Sequence, residues 1–391
     1  MFLVQAARLA WSNTSDDWRR LAVRCTGITF AVVLMFMQTG FRNALFDSNV
    51  RVAENTDADI VIRTRTRFML SSGQLMPLQK IIEARNVPGV ASVHPIYFEN
   101  VVSRLRKIGK PSRRIRVIAF DIQRPVFGDF GVLPFADALS APMTAIADDK
   151  SKPMFGFNED VCAGNGELYG ELFNQKIKMV GCFRLGIDFS NDGNIIMTPE
   201  NFARYFSHRG QGRPLELVDY GLATVEKGAD VDRVVAAMKK SLGPHVIVNS
   251  KQDFLKSERD FWGKATPVGL IFMFGTIIGF VVGLIICYQV LSTDIADHMG
   301  EFATLKAMGY PTSFFAAVVV LQALFMSFIS FLPGLLITLA IFTFVNSTSG
   351  LIMFLNFDRA SLVLLLTVAM CVVSGVIALQ KLLSSDPANL F

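Results

Sequence analysis

Histidine is scarce in this chain of 391 residues. His94, His208, His245 and His298 are the four, far apart and none beside a cysteine. Structural or catalytic zinc needs His and Cys ligands at short spacing, so no metal site is expected. The chain also lacks a G-x-x-x-x-G-K-[ST] loop, because its Gly-Lys pairs at Gly109 and Gly263 run on into Pro111 and Ala265. It therefore brings no phosphate-cradling loop of its own. Neither a G-x-S-x-G elbow nor an H-E-x-x-H helix is present, which leaves catalysis on this chain without a motif. A large surplus of basic charge is missing too. Lys and Arg number 38 against 33 Asp and Glu, and the net charge of +5 is scattered, which excludes a nucleic-acid footprint.

Apolar residues make up 51% of the chain, the mean hydropathy is +0.41, and charged residues still reach 18%. The charges are unevenly placed: 55 of the 71 lie between Asp47 and Trp262, at the density of a soluble domain, and only 16 elsewhere. A membrane protein carrying one soluble domain fits this division. A span needs about 20 mostly apolar residues. Four runs qualify, at 21–46, 265–291, 312–345 and 360–381. The uncharged stretch 307–357 is read as one long helix, a Ser/Thr/Gly break at 346–350 and a short interfacial segment. The spans hold no acidic or basic residue at mid-depth. Gln38, Gln289 and Gln322 are their strongly polar side chains, and hydrogen bonding between helices accounts for them. An ion-driven carrier ordinarily keeps a carboxylate or histidine there, so the energy source is expected elsewhere.

Arg8, Arg19, Arg20 and Arg24 precede the first span, which predicts a cytoplasmic N-terminus. Residues 47–262 are then outside, and 292–311 and 382–391 inside. The connection 346–359 is outside. Residues 1–20 are a cytoplasmic segment that places Phe2, Leu3, Ala6, Ala7, Ala10 and Trp11 at helical spacing opposite Arg8, either an amphipathic helix on the inner membrane face or a frayed start to the first span. The predicted fold class is an α-helical membrane protein with four transmembrane helices and one large α+β extracytoplasmic domain inserted between helices 1 and 2.

Within 47–262, period-two alternation at 58–66 predicts a strand with Arg63 and Arg65 on a solvated face. Residues 77–85 and 230–241 read as helices. Strands are expected at 92–98, 101–107, 114–120, 176–185, 194–197, 215–225 and 245–249. Thr198-Pro199-Glu200 reads as a capped helix start. Two lobes are expected, one from the first and last thirds and one from the middle. Arg104, Arg106, Lys107, Lys110, Arg113, Arg114 and Arg116 crowd one hairpin, either solvated or available to a partner protein or anionic headgroups. Of the five cysteines, Cys25, Cys287 and Cys371 lie in spans as apolar filler, whereas Cys162 and Cys182 are a candidate disulfide.

The short inside loop is the most informative stretch. Residues 301–308 are strong helix formers, and Gly309 stands where a helix stops. Glu301 at the start and Lys306 near the end complement the helix dipole. The loop EFATLKAMGY at 301–310 is similar to that of the DevC-type permeases, within the MacB/FtsX-like (type VII, mechanotransmitting) ABC transporter family. AVVLMFMQTGF at 31–41, TPVGLIF at 266–272, YQVL at 288–291 and the tail SDPANLF at 385–391 carry the same resemblance, as do GCFRLGIDF at 181–189 and DGNIIMTPENF at 192–202. Where the family often has Gln-Glu-Ala, this chain has Gln322-Ala323.

That resemblance implies a homodimer working with two copies of a separate ABC ATPase, which binds the ATP and Mg, so that this chain needs no cofactor. It further implies a periplasmic membrane-fusion adaptor and, through it, a TolC-like outer-membrane channel. The expected setting is a bacterial inner membrane with both termini cytoplasmic and the large domain periplasmic. The expected task is export of a lipid, glycolipid or other amphiphile. Asp297, His298, Glu301, Phe302, Ala303, Thr304, Lys306, Met308, Gly309 and Tyr310 would then form the ATPase-coupling site. The alternatives are FtsX-like signalling to a periplasmic cell-wall hydrolase, Lol-like lipoprotein release, and a membrane-anchored sensor.

Overall fold

The computed structural model describes residues 2–384 apart from 16, 17, 108, 125, 128–130, 158, 163–167, 189 and 350. The tail 385–391 and Phe189, both part of the family resemblance, lie outside the described residues, as do the side chains of Phe2 and Leu3. The helices in chain order are α1 (Phe2–Ser15), α2 (Trp18–Glu54), α3 (Gln79–Arg85), α4 (Ala136–Leu139), α5 (Glu159–Cys162), α6 (Pro199–Tyr205), α7 (Val231–Leu242), α8 (Lys251–Asp260), α9 (Pro267–Asp297), α10 (Met299–Ala307), α11 (Thr312–Ser349) and α12 (Phe357–Ser384). The strands are β1 (Ile60–Thr64), β2 (Met76–Pro77), β3 (Val90–Glu99), β4 (Arg104–Lys107), β5 (Arg113–Arg114), β6 (Arg116–Ala119), β7 (Thr144–Asp148), β8 (Leu168–Leu172), β9 (Gln175–Phe183), β10 (Asn194–Met197), β11 (Leu217–Val218), β12 (Tyr220–Val225) and β13 (Val246–Ser250). They divide into two compact units, one of Met1–Asn43, Val268–Val345 and Met353–Phe391, the other of Ala44–Pro267 and Asn346–Ile352.

The first unit is helical. Among the described residues, four helices are long and apolar enough to cross a membrane: α2, α9, α11 and α12. Ile28, Ala31, Val32 and Met35 of α2 recur at helical spacing and meet Leu291 and Ile295 of α9, Val318, Ala323 and Met326 of α11, and Val363 and Met370 of α12. Gly283 lets these helices approach, since a Cβ there would lie 2.2 Å from Met370 Sδ and 2.9 Å from Ala31 Cβ. Pro333 removes one N–H from the ladder of α11, and the nearby Ser330 carbonyl accepts the Thr29 hydroxyl at 3.1 Å. Gln322 does not behave as expected. It is 1% exposed, yet its Oε1 has no hydrogen-bond partner among the described residues, because apolar side chains surround that part of α11. In α1 the buried face is Ala6, Ala10 and Thr14, while Trp11 is half exposed and meets the Phe325 ring edge-on at 5.4 Å. The small residues face inward because they permit close helix packing.

The second unit is built on one 11-stranded sheet in the order β13-β1-β12-β3-β6-β10-β7-β9-β8-β4-β5. Strands β13, β1, β12 and β3 from the first and last thirds occupy one end. Strands β4 and β5, also from the first third, lie at the opposite edge beside β8 and β9 of the middle, where the expected partition did not place them. The two ends are joined rather than separate, because β3 pairs with β12 along its first residues and with β6 at Tyr97, Phe98 and Glu99. The two lobes expected from the sequence are therefore two halves of a continuous sheet. Both faces are covered. Ile60 and Ile62 point to one core and Val61 to the other, and the same division separates Ile195 and Met197 from Ile196. Helices α3, α6 and α7 cover the first face through Ile81, Phe202 and Met238, whereas Val52 of α2, Leu139 of α4 and Phe254 of α8 cover the second.

Double coverage explains the misplaced Arg63. It is buried, its guanidinium lies over the Phe254 ring at 5.7 Å and donates to the Arg67 carbonyl, while Arg65 remains exposed. The alternation was real, but α8 occupies the face that it assigned to solvent.

Candidate functional site

The loop after α9 folds as its composition dictates. His298 caps α10, Glu301 stands in the first turn and Lys306 in the last. Gly309 has φ +92°, a left-handed conformation that ends the helix without a Cβ penalty. Its N–H donates to the Lys306 carbonyl at 3.0 Å, and the Tyr310 N–H donates to the Leu305 carbonyl at 3.2 Å. Phe302 is the buried anchor of the helix, meeting the Phe315 ring edge-on at 5.7 Å, and Leu305 packs partly buried against the same core. Tyr310 packs on Phe314 at 4.7 Å. The rest faces outward, with Gly300, Glu301, Thr304, Lys306, Met308 and Gly309 exposed and Ala303 half-buried. The predicted set therefore divides by role. Phe302 and Tyr310 hold the helix in place, whereas Glu301, Thr304, Lys306 and Met308 form a surface that another protein could seat.

Asp297 and His298 belong to a charged cluster at the base of this helix that sequence reasoning missed. Arg24 of α2 forms an ion pair with Asp294, whose side chain is 1% exposed, and reaches Asp297 Oδ2 at 3.4 Å. His298 Nδ1 lies 2.9 Å from the Asp294 backbone oxygen and 3.7 Å from Asp294 Oδ1. Residues 24 and 294 are distant in the chain, and the local sequence around Arg24 signals only orientation.

In the sheet unit, Arg104, Arg106, Lys110, Arg113 and Arg114 are exposed on β4, β5 and their turn, at the free edge of the sheet. Lys107 is half-buried, and Arg106 is engaged by Glu171. Arg116 is a correction to the predicted surface set. It is buried on β6 in an ion pair with Asp188, because β6 lies inside the sheet between β3 and β10. Arg104, Arg106 and Lys110, together with Glu171, Phe173 and Asn174, line a concavity of about 390 Å³. The Cys162 and Cys182 sulfurs are bonded, tying α5 to β9 with the Cα atoms 4.5 Å apart. Cys25, Cys287 and Cys371 are free and buried.

A second buried network was illegible in the sequence. Asp219 accepts from Arg67 Nη1 at 2.6 Å, from Arg209, and from the Phe98 N–H at 2.8 Å. Arg67 also donates to the Gln74 and Leu70 carbonyls, each at 2.8 Å, and its guanidinium stacks 4.3 Å from the Tyr220 ring centre. Glu258 of α8 completes the group. Burial pushes its carboxyl up to about 7, against the opposing pull of the Leu70 N–H and of Arg63 and Arg67. On β7, inside the sheet, burial likewise raises Asp148, opposed by hydrogen bonds from Asn194, Leu185, Lys150 and Gly186. Every one of these groups holds backbone in place, and among the described residues no three or more His, Cys, Asp or Glu side chains are grouped to hold a metal ion.

Residues 269–387 match a protein-family model, the FtsX-like permease C-terminal domain. No curated protein matches the chain. The solved structures similar to it include two single-domain examples. The periplasmic region of MacB from Actinobacillus actinomycetemcomitans is 10% identical with a TM-score of 0.36, covering 54% of this chain and 95% of its own. The extracellular domain of the noncanonic ABC-type transporter YknZ from Gram-positive bacteria is 12% identical with a TM-score of 0.33, covering 49% and 99%.

Proposed function

We propose that this chain, a MacB/FtsX-type ABC permease, is the membrane subunit of a tripartite exporter. Two copies work with two copies of a separate ATPase, which binds ATP and Mg while this chain binds neither. A periplasmic adaptor and, through it, an outer-membrane channel complete the path. The cargo class is a lipid, glycolipid or other amphiphile. The chain sits in a bacterial inner membrane with both termini cytoplasmic and residues 47–262 periplasmic.

The observation that carries this reading is α10, a nine-residue helix inside the family-matched segment, anchored through Phe302 and Leu305 and exposed at Gly300, Glu301, Thr304, Lys306 and Ala307. A short helix with charged ends and apolar anchors on one face can be displaced as a body. In this reading Glu301, Thr304, Lys306 and Met308 seat in a groove of the ATPase. Closure of the ATPase dimer on ATP displaces α10, and α2 and α8 carry the displacement outward. The exposed basic residues of the β4–β5 hairpin, with Arg106 held by Glu171, offer a periplasmic partner its docking edge.

Purification of the tagged chain in mild detergent with a non-hydrolysable ATP analogue, followed by mass spectrometry, tests the proposal. Recovery of an ATPase together with an adaptor is the expected result. An ATPase with a cell-wall hydrolase and no adaptor replaces export by signalling. Absence of any ATPase, even after crosslinking through position 304, overturns the permease mechanism.

A further inference from the structure

Asp294 is 1% exposed and Arg24 is 13% exposed, at the junction of α2, α9 and the start of α10. A buried carboxylate is costly to desolvate, and its partner offsets that cost only in close geometry. Apolar packing would hold two helices together as well or better, so stability alone is a weak reason for this pair. Interdigitated apolar side chains already resist sliding, and the ion pair adds a charge-specific link between α2 and α9 at their ends nearest α10. The pair is also wired to α10. His298, the residue that caps α10, holds the Asp294 backbone oxygen at 2.9 Å, and Asp297 stands 3.4 Å from the same guanidinium. On the other side, Arg24 belongs to a single helix that runs from Trp18 to Glu54.

We propose that Arg24 and Asp294 are positioning residues that deliver displacement of α10 to α2. The inference rests on the ATPase-coupled mechanism proposed above. It assigns the transmitted movement to one ion pair. Movement of α10 draws Asp294 through the end of α9. Asp294 draws Arg24, and α2 follows as a rigid rod.

The test uses the full chain co-purified with its ATPase and spin-labelled at Val101→Cys, a position 62% exposed. The readout is the change in distance between labels on the two copies when a non-hydrolysable ATP analogue is added. The main variant is the double replacement Arg24→Leu with Asp294→Leu, which leaves no uncompensated charge and keeps an apolar contact. It is expected to recover the ATPase and hydrolyse ATP like the parent, while the distance change falls at least fivefold. Arg24→Lys, which keeps the charge, is expected to retain at least half of the change.

A double-leucine chain that keeps the full distance change overturns the proposal and leaves the ATPase-coupled mechanism standing. Loss of the change in Arg24→Lys as well as in the double variant, with ATPase recovery intact, also overturns it, because charge pairing is then not the operative property. If the parent chain recovers no ATPase, the mechanism itself fails and the proposal falls with it.

Discussion

Glu258 Oε2 accepts the Leu70 backbone N–H at 3.0 Å inside the sheet unit, where Glu258 is fully buried and its other oxygen has no hydrogen-bond partner among the described residues. The contact ties α8, the helix that precedes the second span, to the loop after β1. It also leaves a carboxyl in surroundings that favour its neutral form.

A pH dependence follows. The folded-state value of about 7 lies above the ordinary 4.5, so the folded chain holds a proton that the unfolded chain has lost. The stability from this group is complete below the ordinary value and is lost as pH rises through about 7, by about 3 kcal/mol in all. Glu258→Gln keeps an acceptor for Leu70 and removes the titration. Proteolytic susceptibility of residues 47–262 should rise between pH 5 and 8 in the parent, and this component should vanish in the variant.

Asp219 forms ion pairs with two buried guanidinium groups. Asp219→Asn leaves Arg67 and Arg209 without their counter-charge, at a cost of about 3–5 kcal/mol. Much lower steady-state abundance and a lower thermal midpoint are expected. An unchanged midpoint would show that the two arginines are satisfied by carbonyls alone.

The Cys162–Cys182 bond closes a loop with a sequence separation of 20. Constraining a loop of that length stabilises the folded state by about 3 kcal/mol in the chain-entropy account. The double replacement by serine should lower the thermal midpoint of the oxidised chain and have little effect on the reduced one. Parallel melts with and without reductant check this.

Gly309 has open space around it, so substitution there acts through the backbone rather than through a clash. With φ +92°, an L side chain costs about 1–2 kcal/mol. Gly309→Val should fray the end of α10, leave the sheet unit unchanged, and lower both ATPase recovery and export. Full export by this variant would argue against a rigid coupling helix.

The four membrane helices, the position of the soluble domain and the short helix ending at Gly309 were legible in the sequence, because each depends on local properties. Hydropathy over about 20 residues, charge density and a glycine after a helix-forming run carry their meaning without reference to distant residues. Most strands were found for the same reason. β7 was missed because Thr144–Asp148 is buried throughout, so it lacks the alternation of a half-exposed strand. The first span was predicted to end at 46, but its helix continues to Glu54, since nothing in the residues that follow breaks a helix.

Pairing across the chain was decided by tertiary structure. Arg63 and Arg116 read as exposed basic residues, and only the covering of both sheet faces buries them. Arg24 read as an orientation signal until α9 brought Asp294 beside it. Asp219, Glu258 and the two arginines that face Asp219 have ordinary local contexts, and their meaning arises from burial. Local sequence records which segments prefer water, hydrocarbon or a helical backbone. The partner of a buried charge is set by which elements pack together, and that depends on the whole chain at once.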